Sequence, residues 1–234
     1  MCETCGCNIT PANESPHAVD VLKGLLDAND HEAAHNREHF ERHGVTAINL
    51  MSSPGAGKTS LLEATIDALG DDFNIAVVEG DLETENDAER IRGKGVPAIQ
   101  ISTGSACHLD AHMVHSALHD MDLDDIDLLF IENVGNLVCP ASFDLGQHSN
   151  VALLSTPEGD DKPAKYPVMF RAADLVVISK SDLLEVLGDF DPGAAEGHLR
   201  NVANAAPVIE LSARNGAGMD AWIDWLRREA GARE

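Results

Sequence analysis

The sequence predicts an α/β protein in which a mostly parallel sheet is covered by helices on both faces, preceded by an N-terminal arm and helix. Three observations carry that reading. Short β-rich apolar runs alternate with helical stretches along most of the chain, and parallel strands buried on both faces read as near-continuous hydrophobic segments. A chain of 234 residues has the length of one such domain with an appendage. Its hydrophobic fraction of 44% and charged fraction of 24% belong to a chain with a buried core and exclude wholesale disorder.

Taken in order, residues 1–17 lack periodicity and are rich in Cys, Asn, Pro and Thr, the composition of a mobile arm. Residues 18–43 turn helical, with an interruption expected at Asn29-Asp30, because Asn29 followed by Glu32 resembles a helix-starting capping box. Strands follow at 45–51, 74–79, 98–102, 127–132, 151–155, 175–179 and 208–211, with helical stretches between them. No internal repeat is visible.

Charge narrows the partners. Acidic residues number 40 and basic ones 16, a net charge of −24 that repels phosphate backbones and anionic bilayers. Nucleic acid and membrane are therefore not expected partners, and the acidity reads as a solvated surface. The chain opens without a basic stretch or an apolar run of signal-peptide length, and no run reaches the roughly 18 apolar residues of a membrane span. A cytoplasmic protein is expected, in whose reducing milieu five cysteines read as metal ligands or free thiols.

The strongest local signal is Ser52-Ser53-Pro54-Gly55-Ala56-Gly57-Lys58-Thr59, between an apolar strand and the helical Ser60-Leu61-Leu62-Glu63. That context defines a P-loop. Its glycines permit a turn that aims backbone N–H groups at phosphates, Lys58 supplies a point charge to the β- and γ-phosphates, and the Thr59 hydroxyl is placed to ligate Mg²⁺. Gly55, Ala56, Gly57 and Ser60 complete the phosphate-binding set, while Ser52 stands where the pattern has its first Gly. Asp81 and Glu132 end two further strands, on the side where ligands bind in open α/β sheets. Either carboxylate can bind Mg²⁺ or orient an attacking water, so Lys58, Asp81 and Glu132 form the candidate catalytic set, with Asp81 also a candidate Mg²⁺ ligand beside Thr59.

Base choice is read from Ser179-Lys180-Ser181-Asp182, one substitution from the Asn-Lys-x-Asp pattern of GTPases. The Asp182 carboxylate can accept from guanine N1–H and the exocyclic amine, and the Lys180 stem can cover the purine. Ser212 and Ala213 resemble the loop that supports guanine O6. GTP is thus expected, with Ser179 predicting a weaker brace for the loop than Asn. These features divide the chain into a cysteine-containing metal-binding arm at 1–17, a helical appendage at 18–44 and a P-loop GTPase domain at 45–234.

Two constellations point to metal. Cys2, Cys5 and Cys7 place three thiolates within six residues, a donor set that suits Ni²⁺ as well as Zn²⁺. Cys107-His108 and Cys139 form a second set, with the fourth position left to water, another His or a neighbouring subunit. If Val134-Gly135 senses the γ-phosphate, Cys139 moves with it, linking nucleotide state to metal geometry. Eight of the eleven histidines form two rows at helical spacing: His31, His35, His39 and His43, and His108, His112, His115 and His119. A solvated face and a weak nickel reservoir fit the first row equally, whereas His112, one turn beyond His108, is a candidate ligand.

With these residues assembled, the chain resembles the HypB family of hydrogenase nickel-incorporation GTPases, SIMIBI-type P-loop proteins, over nearly its full length. The match runs from Cys2-Glu3-Thr4-Cys5-Gly6-Cys7 through the phosphate loop to Glu79-Gly80-Asp81, Asn86-Asp87-Ala88-Glu89-Arg90 and Cys107-His108-Leu109-Asp110-Ala111. It continues in Glu132-Asn133-Val134-Gly135-Asn136-Leu137-Val138-Cys139-Pro140 and Asp161-Lys162-Pro163-Ala164-Lys165-Tyr166-Pro167. The resemblance implies slow, switch-type GTP hydrolysis coupled to nickel delivery in [NiFe]-hydrogenase maturation, a GTP-promoted homodimer, transfer through a HypA-like nickel chaperone, and the hydrogenase large-subunit precursor as recipient. It also implies that Cys107, His108 and Cys139 bind nickel or zinc near a dimer interface. Two other readings are a urease nickel GTPase of the UreG type, argued against by the adjacency of Cys107 and His108, and a non-catalytic nickel/zinc buffering module.

Overall fold

The computed structural model describes residues 16–81, 85–104 and 106–231. In chain order these form α1 (Pro16–His43), β1 (Thr46–Ser52), α2 (Lys58–Leu69), β2 (Ile75–Asp81), α3 (Asn86–Arg92), β3 (Ala98–Ser102), α4 (Ala111–Leu118), β4 (Leu128–Glu132) and β5 (Ser149–Ser155). There follow α5 (Lys162–Lys165), α6 (Pro167–Ala172), β6 (Leu175–Ser179), α7 (Leu184–Leu187), α8 (Pro192–Asn201), β7 (Val208–Glu210) and α9 (Met219–Gly231). The seven strands make one sheet, in the order β3-β2-β4-β1-β5-β6-β7, and every pairing is parallel. All seven runs expected from the sequence are strands, displaced at their ends by at most two residues.

The alternation of side chains along each strand builds two hydrophobic layers. On one face Ile48, Leu50, Val77 and Phe130 pack with Leu61, Leu62 and Ile66 of α2 and with Trp222 and Leu226 of α9. On the other, Ala47, Val78, Leu129 and Ile131 meet Phe40 of α1 and Val114 and Leu118 of α4, while Met51, Ala152 and Ile178 meet Phe170 of α6 and Leu199 of α8. Fully burying side chains of this size contributes about 1.5–3 kcal/mol each. Trp222 reconciles its indole N–H with the core by donating to Thr65 Oγ1 at 2.8 Å.

The interruption expected at Asn29-Asp30 does not occur, because α1 is one helix from Pro16 to His43. Asn29 is buried and its amide is spent on tertiary partners: Nδ2 donates to the Asp144 carbonyl at 2.8 Å and Oδ1 accepts from Ala111 N at 2.9 Å. The residue therefore caps the start of α4 across the fold and not its own helix. Asn36 makes a similar tie, Nδ2 donating to the carbonyls of Ala111 at 2.8 Å and Leu145 at 3.0 Å, and Arg37 pairs with Asp144 at 2.9 Å. These contacts fix α1 along α4 and the 144–146 loop.

Candidate functional site

The carboxyl ends of β1, β2, β4 and β6 converge on a cleft. Gly55 and Gly57 adopt φ values of 75° and 99°, left-handed backbone open to glycine at no steric cost, and α2 begins at Lys58 with its N-terminal amides toward the opening. A cavity of about 1000 Å³ is lined by the P-loop, Glu79, Asp81, Arg90, Glu132 and Val134-Gly135. An adjoining cavity of about 620 Å³ is lined by Ala56, Ser60, Ser179, Lys180, Asp182, Ser212 and Ala213. Gly55, Ala56, Gly57, Lys58, Thr59, Ser60, Lys180, Asp182, Ser212 and Ala213 each line at least one of the two chambers, which Gly57, Ser60 and Lys180 share, whereas Ser52 and Ser53 line neither.

Inside the larger chamber Lys58 is buried, with Nζ 3.2 Å from Ser52 Oγ and 3.9 Å from Glu132 Oε1. Ser52, which replaces the first glycine of the pattern, ends β1 and steadies the lysine. Thr59 Oγ1 donates to Glu132 Oε1 at 2.9 Å. Asp81 is half-buried at the end of β2. The sequence reading missed Glu79, which stands beside Glu132 in the β2–β4 register. Burial, then the charge of Glu132, pushes the Glu79 carboxyl far above its usual range. Burial also raises Glu132, but Lys58, Glu79 and Thr59 pull it back. The two carboxyls are coupled, both held above the ordinary carboxylate range, with Glu132 accepting from Thr59 and facing Lys58. Glu79 closes the apolar run Ala76-Val77-Val78, a position that marks a strand end but not what the carboxylate faces.

In the smaller chamber Ser179 Oγ donates to the Ala56 carbonyl at 2.7 Å, so serine retains a direct brace between the β6 end and the P-loop. Lys180 takes a left-handed φ of 58°, about 1–2 kcal/mol unfavourable for a non-glycine residue, and its Nζ donates to the Gly55 carbonyl at 2.6 Å. Asp182 Oδ1 accepts from Ser212 Oγ at 2.6 Å, which orients the carboxylate in the pocket. Glu158, in the Thr156-Pro157-Glu158-Gly159 turn, accepts from the hydroxyls of Ser53 and Ser155 and adds a second prop beneath the loop.

Cys107, His108 and Cys139 come together, although 32 positions separate the thiols. Their ligand atoms all lie within 4.8 Å of one another, the one such group of three among the described residues. The sulfurs are 3.0 Å apart, and Cys107 Sγ is 3.7 Å from His108 Nδ1. The His108 ring stacks on Phe143 at 3.9 Å, and burial lowers its pKa, with Asp110 opposing. It is therefore a neutral, lone-pair-bearing imidazole at neutral pH. His112 is not in the group; it is exposed on α4. Cys2, Cys5 and Cys7 lie outside the described residues.

Segment 133–139 joins this cluster to the nucleotide chambers. Asn133 Oδ1 accepts from Leu109 N at 3.2 Å and from Val134 N at 3.0 Å, while Nδ2 donates to Asn49 Oδ1 at 3.2 Å. Gly135 lies so close to the P-loop that a Cβ there would stand 2.8 Å from Pro54 Cα. Asn136 Nδ2 then donates to the Cys107 carbonyl at 3.3 Å. From the other side Leu109 covers Gly80, pinning the Cys107-His108 loop over the end of β2.

Residues 46–210 match the CobW/HypB/UreG nucleotide-binding domain, and a hydrogenase maturation factor HypB from Azotobacter chroococcum mcd 1 is 52% identical over 95% of this chain and 73% of its own length. The chain belongs to the HypB family. Solved structures of that family agree with the fold. HypB from Helicobacter pylori in complex with nickel superposes with a TM-score of 0.83 at 43% identity, covering 88% of this chain and 97% of that one. HypB from Archaeoglobus fulgidus gives 0.81 at 42% identity, covering 89% and 100%. No helix among the described residues is long and apolar enough to cross a membrane.

Proposed function

We propose that the protein is a GTP-hydrolysing nickel metallochaperone of hydrogenase maturation, in which the nucleotide state sets the geometry of the Cys107–His108–Cys139 site. The observation that carries this reading is the 133–139 segment, whose start presses on the P-loop at Pro54 and whose end presents Cys139 to Cys107. The family relatives named for hydrogenase maturation and the nickel-bound relative support it. The adjacency of Cys107 and His108 favours the hydrogenase over the urease branch.

In this reading the P-loop amides and the α2 N-terminus bind the phosphates of GTP, Lys58 neutralises charge on the β- and γ-groups, and Asp182 with Ser212 and Ala213 selects guanine. Thr59 and Asp81 would hold Mg²⁺, which when bound offsets the charge that develops between the phosphates. The donor chemistry fits: a hydroxyl and a carboxylate face the cleft, and Glu132 Oε2 and Glu79 Oε2 are buried there without a hydrogen-bond partner among the described residues. Asp81 or Glu132 orients the attacking water. A γ-phosphate displaces Val134-Gly135, and Asn136 passes the shift to the backbone of Cys107.

The thiolates of Cys107 and Cys139 with the His108 imidazole take Ni²⁺ as cargo or Zn²⁺ in its place, the fourth position falling to water or to a second subunit. Cys2, Cys5 and Cys7 form the other nickel site. A GTP-promoted homodimer, a HypA-like chaperone and the hydrogenase precursor are the partners of this cycle in the cytoplasm. A buffering module would bind the same ions without turnover. Native mass spectrometry of a nickel and zinc titration, run with GDP and with a nonhydrolysable GTP analogue, tests the reading. Metal occupancy and dimer fraction should differ between the two states, and Cys139→Ser should abolish that difference. Equal occupancy in both states would remove the switch.

A further inference from the structure

The two histidine rows, separate in the sequence, meet in the fold along the seam of α1 and α4. The rings of His39 and His115 lie edge to face with centroids 5.7 Å apart, and those of His115 and His119 are 4.8 Å apart. His115 Nε2 and His119 Nε2 face each other at 3.2 Å. Asn36 decides which His115 nitrogen carries a proton. Its Nδ2 is committed to two carbonyls, at 2.8 Å and 3.0 Å, so its Oδ1 must be the atom that receives a proton from His115 Nδ1, 2.9 Å away. Neutral His115 then keeps its lone pair on Nε2, directed at His119.

We infer that His115 and His119, with Glu32 of α1 as third ligand, form a second divalent-metal site, distinct from the Cys107–His108–Cys139 cluster. An ion bonded to two imidazoles at about 2.0–2.1 Å with a tetrahedral angle holds their nitrogens about 3.3 Å apart, and the observed separation is 3.2 Å. Glu32 Oε1 lies 3.8 Å from His115 Nε2, beside the imidazole pair, in a set less tightly grouped than the Cys107–His108–Cys139 cluster. Asn36 supplies the outer hydrogen bond that orients a ligating imidazole. His39 stands alongside, its ring edge to face with that of His115. Two imidazoles and a carboxylate select a first-row cation of intermediate softness, Ni²⁺ or Zn²⁺, over Mg²⁺ or Ca²⁺. The inference is independent of the nucleotide switch, since none of its residues touches the nucleotide chambers.

The test is equilibrium dialysis of the full chain against Ni²⁺ alone, with thiolate-to-nickel absorption and GTP turnover followed in parallel. His119 is exposed at the end of α4, so His119→Ala should fold as the parent does. It should lose one nickel equivalent, with the thiolate absorption and turnover unchanged. Glu32→Gln should weaken the same equivalent by about tenfold or more. Unchanged stoichiometry and affinity in His119→Ala would leave only a hydrogen-bonded histidine pair and overturn the site, as would loss of the thiolate absorption in that variant. Unchanged affinity in Glu32→Gln would overturn the three-ligand site.

Discussion

In the phosphate cradle the functional side chains rest on regular elements: Lys58 and Thr59 open α2, and Asp81 and Glu132 terminate β2 and β4. In the Cys107–His108–Cys139 cluster none of the three lies on a strand or an α-helix. Cys107 and His108 occupy the loop after β3, and Cys139 begins a single 3₁₀ turn. Those loops are positioned by Asn133, Gly135 and Asn136, which themselves lean on the cradle. The cradle is therefore self-supporting and the cluster is dependent on it. A change in the cradle should reach the metal, whereas removing a metal ligand should leave nucleotide binding intact.

The largest expected effect is that of Lys58→Ala. Removing one positioned donor from a developing charge costs about 10²–10³-fold in turnover, read by phosphate release, while the cysteine sites still bind nickel in dialysis. Parent-like turnover would deny the cradle its catalytic role. Asp182→Asn comes next: it turns an amide N–H₂ toward guanine donors, and GTP affinity should fall about ten- to hundredfold in a fluorescent-nucleotide titration, with a partial return for a xanthine nucleotide. An unaltered GTP affinity would remove Asp182 from base selection.

Gly135→Ala sharpens the comparison at its joint, because the new Cβ would meet Pro54 Cα at 2.8 Å. We expect a loss of about 1–3 kcal/mol in stability by denaturant melting and a smaller difference in nickel affinity between GDP and GTP-analogue states. A full-sized difference would show that the signal travels elsewhere.

The smallest effect concerns Glu79. Its carboxyl is raised by burial and by Glu132, so folding retains a proton that the unfolded chain releases above its ordinary value of 4.5. The stability it contributes is complete below that value and declines as pH rises toward the folded-state value. Glu79→Gln stays neutral and should flatten the decline between about pH 5 and pH 9, measured as melting temperature against pH. Parallel curves for parent and variant would place the proton on Glu132.

Much of the cradle was legible because its chemistry is local. Gly55, Gly57, Lys58 and Thr59 are neighbours in the chain, and the strand before and helix after them follow from apolar periodicity. Ser179, Lys180 and Asp182 were readable for the same reason. Glu79 was not, since a carboxylate at the end of an apolar run carries no local mark of whether it faces water or a second carboxylate. Asn29 shows the opposite error, a correct capping residue type whose cap belongs to α4, 82 positions away.

The sequence by itself determined the α/β alternation, the phosphate loop and the inventory of thiols and imidazoles, because periodicity, turn chemistry and ligand type are properties of adjacent residues. Only the tertiary structure decided that Cys139 stands 3.0 Å from Cys107, that His39 joins His115 and His119, and that Glu79 is buried beside Glu132. Those pairings depend on strand order and helix packing, which place distant residues at contact distance and exclude the water that would otherwise separate them.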